Sequence, residues 1–276
     1  MSRWGMSVLR ASDRDAVLRL LERGHGLGGR AGHQPAWVAQ RLDATLGELA
    51  RTRQVGIETL VAELSHDEAA LVVLADALRV GQTSFFRDLP QWHALQRWLS
   101  DGLRGVQRVR GLSVGCSTGP EAYSLAMLLD EWTRAQVGRS YHVTGLDRSA
   151  EALAIARVGV YPMEEVAGVP RVLAARHLES SADAMRVRRA LCSAVTFTQR
   201  DALQALPPGR YEVILCKNLL IYLSQAAGAR LLGTLHRALG PGGLLVVARS
   251  EVPRLRALGH PLLELAPGIV ALQNES

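Results

Sequence analysis

Ser113-Val114-Gly115-Cys116-Ser117-Thr118-Gly119 is the stretch from which the fold can be read. An apolar strand, Val109 to Val114, runs into two glycines four residues apart, and a helix opens at once with Glu121 in its first turn. Backbone amides and the positive end of the helix dipole therefore face whatever binds there. The spacing is Gly-x-x-x-Gly, not GxGxxG, and no GK[ST] follows, which disfavours a dinucleotide fingerprint and a phosphate-cradling loop. The next strand ends in Gly145-Leu146-Asp147, where an acid at the carboxyl edge of a parallel sheet can accept both hydroxyls of a ribose. A glycine turn and a ribose acid without a phosphate loop point to a nucleoside-bearing cofactor such as S-adenosylmethionine. In that reading the Gly115 turn lies against the cofactor and Glu121 holds the ammonium of a methionine moiety. The plainer readings are a tight strand-helix joint and a carboxylate favoured by the macrodipole.

Outward from this stretch, short apolar strands alternate with helices, the pattern of a parallel α/β sheet. Strands are expected at Val109–Val114, Tyr141–Leu146, Val195–Thr198, Glu212–Cys216, Leu244–Ala248 and Ile269–Leu272. Helices fall at Glu121–Trp132, at Ala150–Arg157 behind a Ser149 cap, and at Gln225–Leu239 behind Ser224, closed by Gly240-Pro241-Gly242-Gly243. The first eighty residues read as helices only. Ser12-Asp13 opens one that ends at Gly24 and a glycine-rich turn, Pro35 opens a second, and Ser65 with Glu68 reads as a capping box for a third. The expected fold is α/β over 81–276, preceded by a small all-helical domain over 1–80.

The chain has 276 residues, 48% hydrophobic and 21% charged, enough for a packed core and too little polarity for long disorder. Its net charge is +6, and Lys217 is the single lysine among 32 basic residues. The arginines are dispersed and aromatics make up 5%, so no stacking platform for nucleic acid is indicated. Three cysteines, Cys116, Cys192 and Cys216, form no CxxC pair, so no metal site is expected and a reducing cytoplasm fits. No segment resembles a signal peptide or a membrane span.

The strand-four motif, Tyr211-Glu212-Val213-Ile214-Leu215-Cys216-Lys217-Asn218-Leu219-Leu220-Ile221-Tyr222, brings two polar residues and an aromatic to a strand end, where open α/β sheets build sites. It lacks the NPPY or DPPY run of base amino-methyltransferases. Taken with Thr83-Ser84-Phe85-Phe86-Arg87, Gly115 through Ser124, Asp147, Ala156-Arg157-Val158-Gly159-Val160-Tyr161, the run Leu239 to Leu244 and Arg249-Ser250-Glu251, it resembles the chemotaxis receptor methyltransferase (CheR) family. The resemblance covers the chain from about residue 66 onward and implies a Rossmann-like S-adenosylmethionine methyltransferase domain over 81–276, with a small β-subdomain near 170–195.

It implies an enzyme that transfers a methyl group from S-adenosylmethionine to glutamate side chains of chemoreceptors or receptor-like proteins. S-adenosylhomocysteine is the product. Arg87 and Tyr222 match positions close to the reacting methyl, Thr83 and Glu121 the methionine end, Asp147 the ribose, Asp201 and Ala202 the adenine edge, and Lys217 and Asn218 the pocket wall. Gly81 stands where such proteins usually have asparagine, which predicts weak cofactor affinity. Pro120, Ala122, Lys217 and Arg249 also depart from the pattern. The stretch Arg176–Val187 is short and glycine-free, which predicts recognition of receptor helices without a C-terminal pentapeptide. A monomer is expected. A catalytically weak cofactor-binding signalling module and a small-molecule O-methyltransferase are the alternatives.

Overall fold

Two compact units make up the chain, the first comprising Met1–Val80 and Ile221–Gly228, and helical spacing of apolar residues produces four helices among the described residues before Val80. The computed structural model describes residues 10–25, 27, 36–78, 83–103, 105–259 and 261–272, and the predictions made for Gly81 and for the glycine-rich turn lie outside them. The helices are α1 (Ala11–His25), α2 (Ala36–Arg53), α3 (Ile57–Glu63) and α4 (Glu68–Leu78). Val17, Leu21, Leu42, Leu46, Leu60 and Leu74 form their shared apolar seam. Arg14 ties α1 to α2 through a two-pronged bond to Asp43. Two expectations need correction here. The α1 helix runs one residue past Gly24 to His25. The cap of α4 is Asp67, whose Oδ1 accepts the Ala70 amide at 2.9 Å. Ser65 is one turn too early, held in the 3-10 turn Leu64–His66 that leads into the helix.

The second unit comprises Gly81–Leu220 and Ala229–Ser276. Its elements are α5 (Leu89–Gly102), β1 (Arg108–Val114), α6 (Pro120–Arg134), β2 (Ser140–Asp147), α7 (Ala150–Val158), β3 (Val160–Pro162), α8 (Met163–Val166), α9 (Arg171–His177), β4 (Leu178–Ser181), β5 (Ala184–Val187), α10 (Arg189–Cys192), β6 (Val195–Gln199), β7 (Tyr211–Leu215), α11 (Gln225–Ala238), β8 (Leu239–Val246), α12 (Val252–Ala257), β9 (Leu262–Ala266) and β10 (Ile269–Leu272). The first residues of α11 belong to the other unit. Seven strands form one sheet in the order β6-β2-β1-β7-β8-β10-β9, and β3, β5 and β4 form a separate antiparallel sheet.

The first five strands of the large sheet are mutually parallel, while β10 pairs antiparallel with both β8 and β9. The reversal at the edge departs from an all-parallel reading. β8 also starts at Leu239, so the Gly240–Gly243 run belongs to an irregular strand and not to a helix-closing turn. Gly111 brings α6 close to the sheet, since a Cβ there would lie 2.6 Å from Leu125 Cδ2. The apolar face from Ala122 to Leu129 is buried in that contact. Ser149 caps α7 as expected, its side chain accepting the Ala152 amide at 3.1 Å. Chain order reverses between β1 and β7, so the carboxyl ends of β1, β2 and β7 flank the switch point where open α/β sheets bind ligands.

Candidate functional site

The loop after β1 is drawn onto β2. The amides of Gly115 and Cys116 both donate to the Leu146 carbonyl, at 2.8 and 3.0 Å. Gly115 has φ +70° and Gly119 φ +97°, the left-handed region that favours glycine. At Gly119 a Cβ would also lie 2.9 Å from Ala156 Cβ and 3.0 Å from the Tyr161 hydroxyl, so the turn can close only without a side chain. At Gly115 the nearest atom is Leu219 Cδ2 at 3.8 Å, and the residue is exposed, leaving an open cradle beside the backbone. Asp147 is half-buried; its Oδ2 accepts the Ser117 amide at 2.8 Å and its Oδ1 the Ser149 amide at 2.9 Å. A carboxylate has about four lone-pair sites, so two bonds from the loops hold Asp147 in place and leave capacity for a ligand's hydroxyls.

Glu121 projects from the first turn of α6. Its Oε1 accepts from Ser113 Oγ at 3.2 Å and its Oε2 lies 3.8 Å from Lys217 Nζ. Burial pushes the Glu121 carboxyl above its ordinary value, against the pull of Lys217, the Ser113 bond and Arg87. The Lys217 ammonium, its side chain 3% exposed, also donates to the Arg87 carbonyl at 3.0 Å and lies 5.2 Å from the Trp92 ring centroid. That carbonyl accepts from Trp92 Nε1 as well, at 2.9 Å. The neighbouring Phe86 amide donates to Ser124 Oγ at 3.0 Å. These bonds hold Phe86 at φ +51° and Asp88 at φ +65°. A bulky residue in that region costs about 1–3 kcal/mol, and such strain tends to collect at functional segments.

In the loop after β7, Asn218 follows the buried Cys216 and Lys217 with φ +57°, a conformation asparagine tolerates better than most residues. Its amide donates to Glu251 Oε2 at 2.8 Å, and the Ala248 amide donates to the same oxygen at 3.1 Å. Asp201 lies one residue beyond Arg200, whose amide donates to the Asp147 carbonyl at 2.9 Å, so the ends of β2 and β6 are joined there. Asp201 and Ala202 are half-buried, with Asp201 Oδ1 accepting the Leu203 amide at 2.8 Å.

A family model described as "CheR methyltransferase, SAM binding domain" matches residues 81–257. The chain belongs to this family. Chemotaxis protein methyltransferase 1 of Pseudomonas aeruginosa is 30% identical over 210 residues, covering 72% of this chain and 76% of the relative. Chemotaxis protein methyltransferase Cher2 of Pseudomonas putida is 27% identical over 206 residues, 71% of this chain and 75% of the relative. The probable biofilm formation methyltransferase WspC of the same species is 29% identical over 208 residues, 73% of this chain and 49% of that protein. A solved DhpI–SAH complex is similar at 17% identity and a TM-score of 0.38, covering 84% of this chain and 93% of that one.

S-adenosylmethionine is the cofactor of CheR proteins, and the donors present here fit it. An open cradle at Gly115, a buried carboxylate at Glu121 and a half-buried, doubly anchored carboxylate at Asp147 suit an ammonium and a ribose on one nucleoside-bearing ligand. The structure brings Glu121, Lys217 and the Arg87 backbone together, and joins Gly115 and Asp147 through the β1–β2 edge. Thr83 is half-buried two residues before Phe85. Tyr222 is 9% exposed, in the 3-10 turn Leu220–Tyr222.

Sequence reasoning gave no role to Glu251, which is fully buried and fixes the backbone of Asn218, or to Ser113, Ser124 and Trp92. The signal for Glu251 was an acid closing a quoted motif. For the others no spacing rule distinguishes them from ordinary packing residues. Cys116 and Cys216 are buried, and burial raises both thiols well above their ordinary range, which fits packing and not nucleophilic roles.

Proposed function

We propose that this chain is a protein-glutamate O-methyltransferase acting on chemoreceptors or receptor-like signalling proteins. The observation that carries the reading is the grouping of Glu121, Lys217 and the Arg87 backbone beside the Gly115 turn within a CheR domain. The names of two relatives, both chemotaxis protein methyltransferases, support a substrate in chemotaxis signalling. When bound, S-adenosylmethionine supplies an electrophilic methyl group. A substrate glutamate, with a reference pKa of about 4.3, is already ionised at neutral pH, so the protein needs no general base. It has to strip water from the carboxylate and set it in line with the methyl, which is catalysis by orientation and by a prepared electrostatic field.

In this mechanism Thr83 and Glu121 hold the methionine end, Asp147 the ribose, and Asp201 with Ala202 the adenine edge. Lys217 and Asn218 shape the pocket wall. Arg87 has its backbone fixed by Lys217 and Trp92, and its exposed side chain orients the incoming carboxylate. Tyr222 carries over as the second catalytic residue on its motif alone. Residues 1–80 serve as the substrate-docking domain. The β4–β5 connection supports recognition without a receptor pentapeptide: it is a two-residue turn, Ala182-Asp183, with Ala182 at φ +49° and no glycine. A cytoplasmic monomer completes the proposal; among the described residues no helix is long and apolar enough to cross a membrane.

Incubation with receptor-containing membranes and methyl-labelled S-adenosylmethionine tests the reading. Label on receptor bands that is released as methanol by mild alkali is the expected result. Base-stable label, or none on any receptor tried, would overturn it. Label confined to small molecules would establish the alternative instead.

A further inference from the structure

We propose that Asp130, Glu131 and His177 form a binding site for one divalent transition-metal ion of the zinc class. The two acids lie in the last turn of α6 and His177 is the last residue of α9. The site is thus at the opposite end of α6 from Glu121, roughly 15 Å along the helix at 1.5 Å per residue. His177 Nε2 is 3.7 Å from Asp130 Oδ2 and 3.6 Å from Glu131 Oε1, and one ligand atom from each of the three residues lies within 4.8 Å of the others.

His177 is 4% exposed, yet its buried Nε2 has no hydrogen-bond partner and faces the two carboxylates. Leaving a buried polar nitrogen unsatisfied is costly, and native proteins rarely do so without a reason. Zinc-like ions take imidazole nitrogen and carboxylate oxygen at about 2.0–2.2 Å, which spaces ligand atoms about 3.4 Å apart around a tetrahedron. A contraction of a few tenths of an ångström brings the His177 contacts to that spacing. Glu131 also lines a cavity of about 210 Å³ with His93, Pro170 and Leu173, so one of the three ligands borders open space.

Two arginines hold the same oxygens and would have to give way to the ion: Arg134 Nε donates to Asp130 Oδ2 at 2.6 Å and Arg176 pairs with Glu131 Oε1, while the Tyr141 hydroxyl on β2 faces Asp130. The two arginine side chains are 56% and 37% exposed, so each can turn to solvent when the ion takes its place. The site would clamp α9, and the small sheet that follows it, to α6.

Titration of the chelator-treated full chain with ZnCl2, and with CoCl2 for its visible absorption, tests the proposal. One ion per chain at micromolar or tighter Kd is expected, with cobalt bands of a four- or five-coordinate site. His177→Gln and Glu131→Gln should each weaken binding at least tenfold, while Cys192→Ser leaves it within twofold. No binding by the wild type, or binding lost in Cys192→Ser and unchanged in His177→Gln, would overturn the site. Because both test variants are near-isosteric, a thermal-melt comparison without metal confirms that they are folded.

Discussion

Lys217 is where the composition and the site meet. In a chain whose other 31 basic residues are arginines, the one lysine is buried between a carboxylate, a backbone carbonyl and an indole ring. A compact ammonium on a flexible stem can serve three neighbours that a planar guanidinium would reach only by displacing one. Removing it leaves Glu121 charged and buried without its nearest cation. Lys217→Met is therefore expected to lower unfolding stability by about 3 kcal/mol, read from urea melts. Glu121 itself sets a pH dependence. Its carboxyl is raised above 4.5 in the fold, so its ionisation opposes folding as pH climbs through that window, and protonation is the easier state in acid. In its proposed role Glu121 must be charged to hold an ammonium. Affinity for S-adenosylhomocysteine should accordingly fall as pH drops through the raised Glu121 value, and Glu121→Gln should show weak affinity without that dependence in calorimetry.

The loop between β1 and α6 shows how elements impose residues. Gly119 has a positive φ and no room for a methyl group, so Gly119→Ala should cost about 1–3 kcal/mol in thermal or urea unfolding and loosen the cofactor turn. This glycine, the strand before it and the acid ending β2 were readable in advance, because a parallel strand, its turn and its helix each leave a local pattern. The Ser149 cap was readable for the same reason. Other elements left weaker marks. Leu178–Ser181 and Ala184–Val187 are four residues each, mixed in polarity, and pair only with each other and with the three residues of β3. The β9 strand, Leu262–Ala266, alternates burial so mildly that only its antiparallel partner β10 defines it. At α4 two acceptors competed for one role, and Asp67 prevailed over Ser65 because it directly precedes the helix. Around the strand ends the polar residues Asp147, Lys217 and Asn218 stand out in the sequence, whereas the groups that support them do not. Glu251 acts through a backbone amide 33 residues away in sequence, a contact no motif spacing encodes.

At the scale of the whole molecule, the excess of six positive charges is spread over arginines that stand singly or in small groups such as Arg186, Arg188 and Arg189, with no dense basic block. Dispersed charge steers encounters with acidic surfaces without building a tight interface. Methylation of receptor membranes should therefore slow as NaCl is raised from 50 to 300 mM, with the loss in kcat/KM and little change in kcat. A rate indifferent to salt would show that the arginine excess plays no part in the encounter. The architecture places the ends of β1, β2, β6 and β7 along one edge of the sheet, and in the proposed function one ligand lies along that edge from Asn218 through Gly115 and Asp147 to Asp201. The most direct measurement of this account is calorimetric titration of S-adenosylhomocysteine into the wild type and into Asp147→Asn. One-to-one binding that weakens at least tenfold in the variant, about 1.4 kcal/mol, is predicted. No binding by the wild type, or equal affinity in the two proteins, would contradict it.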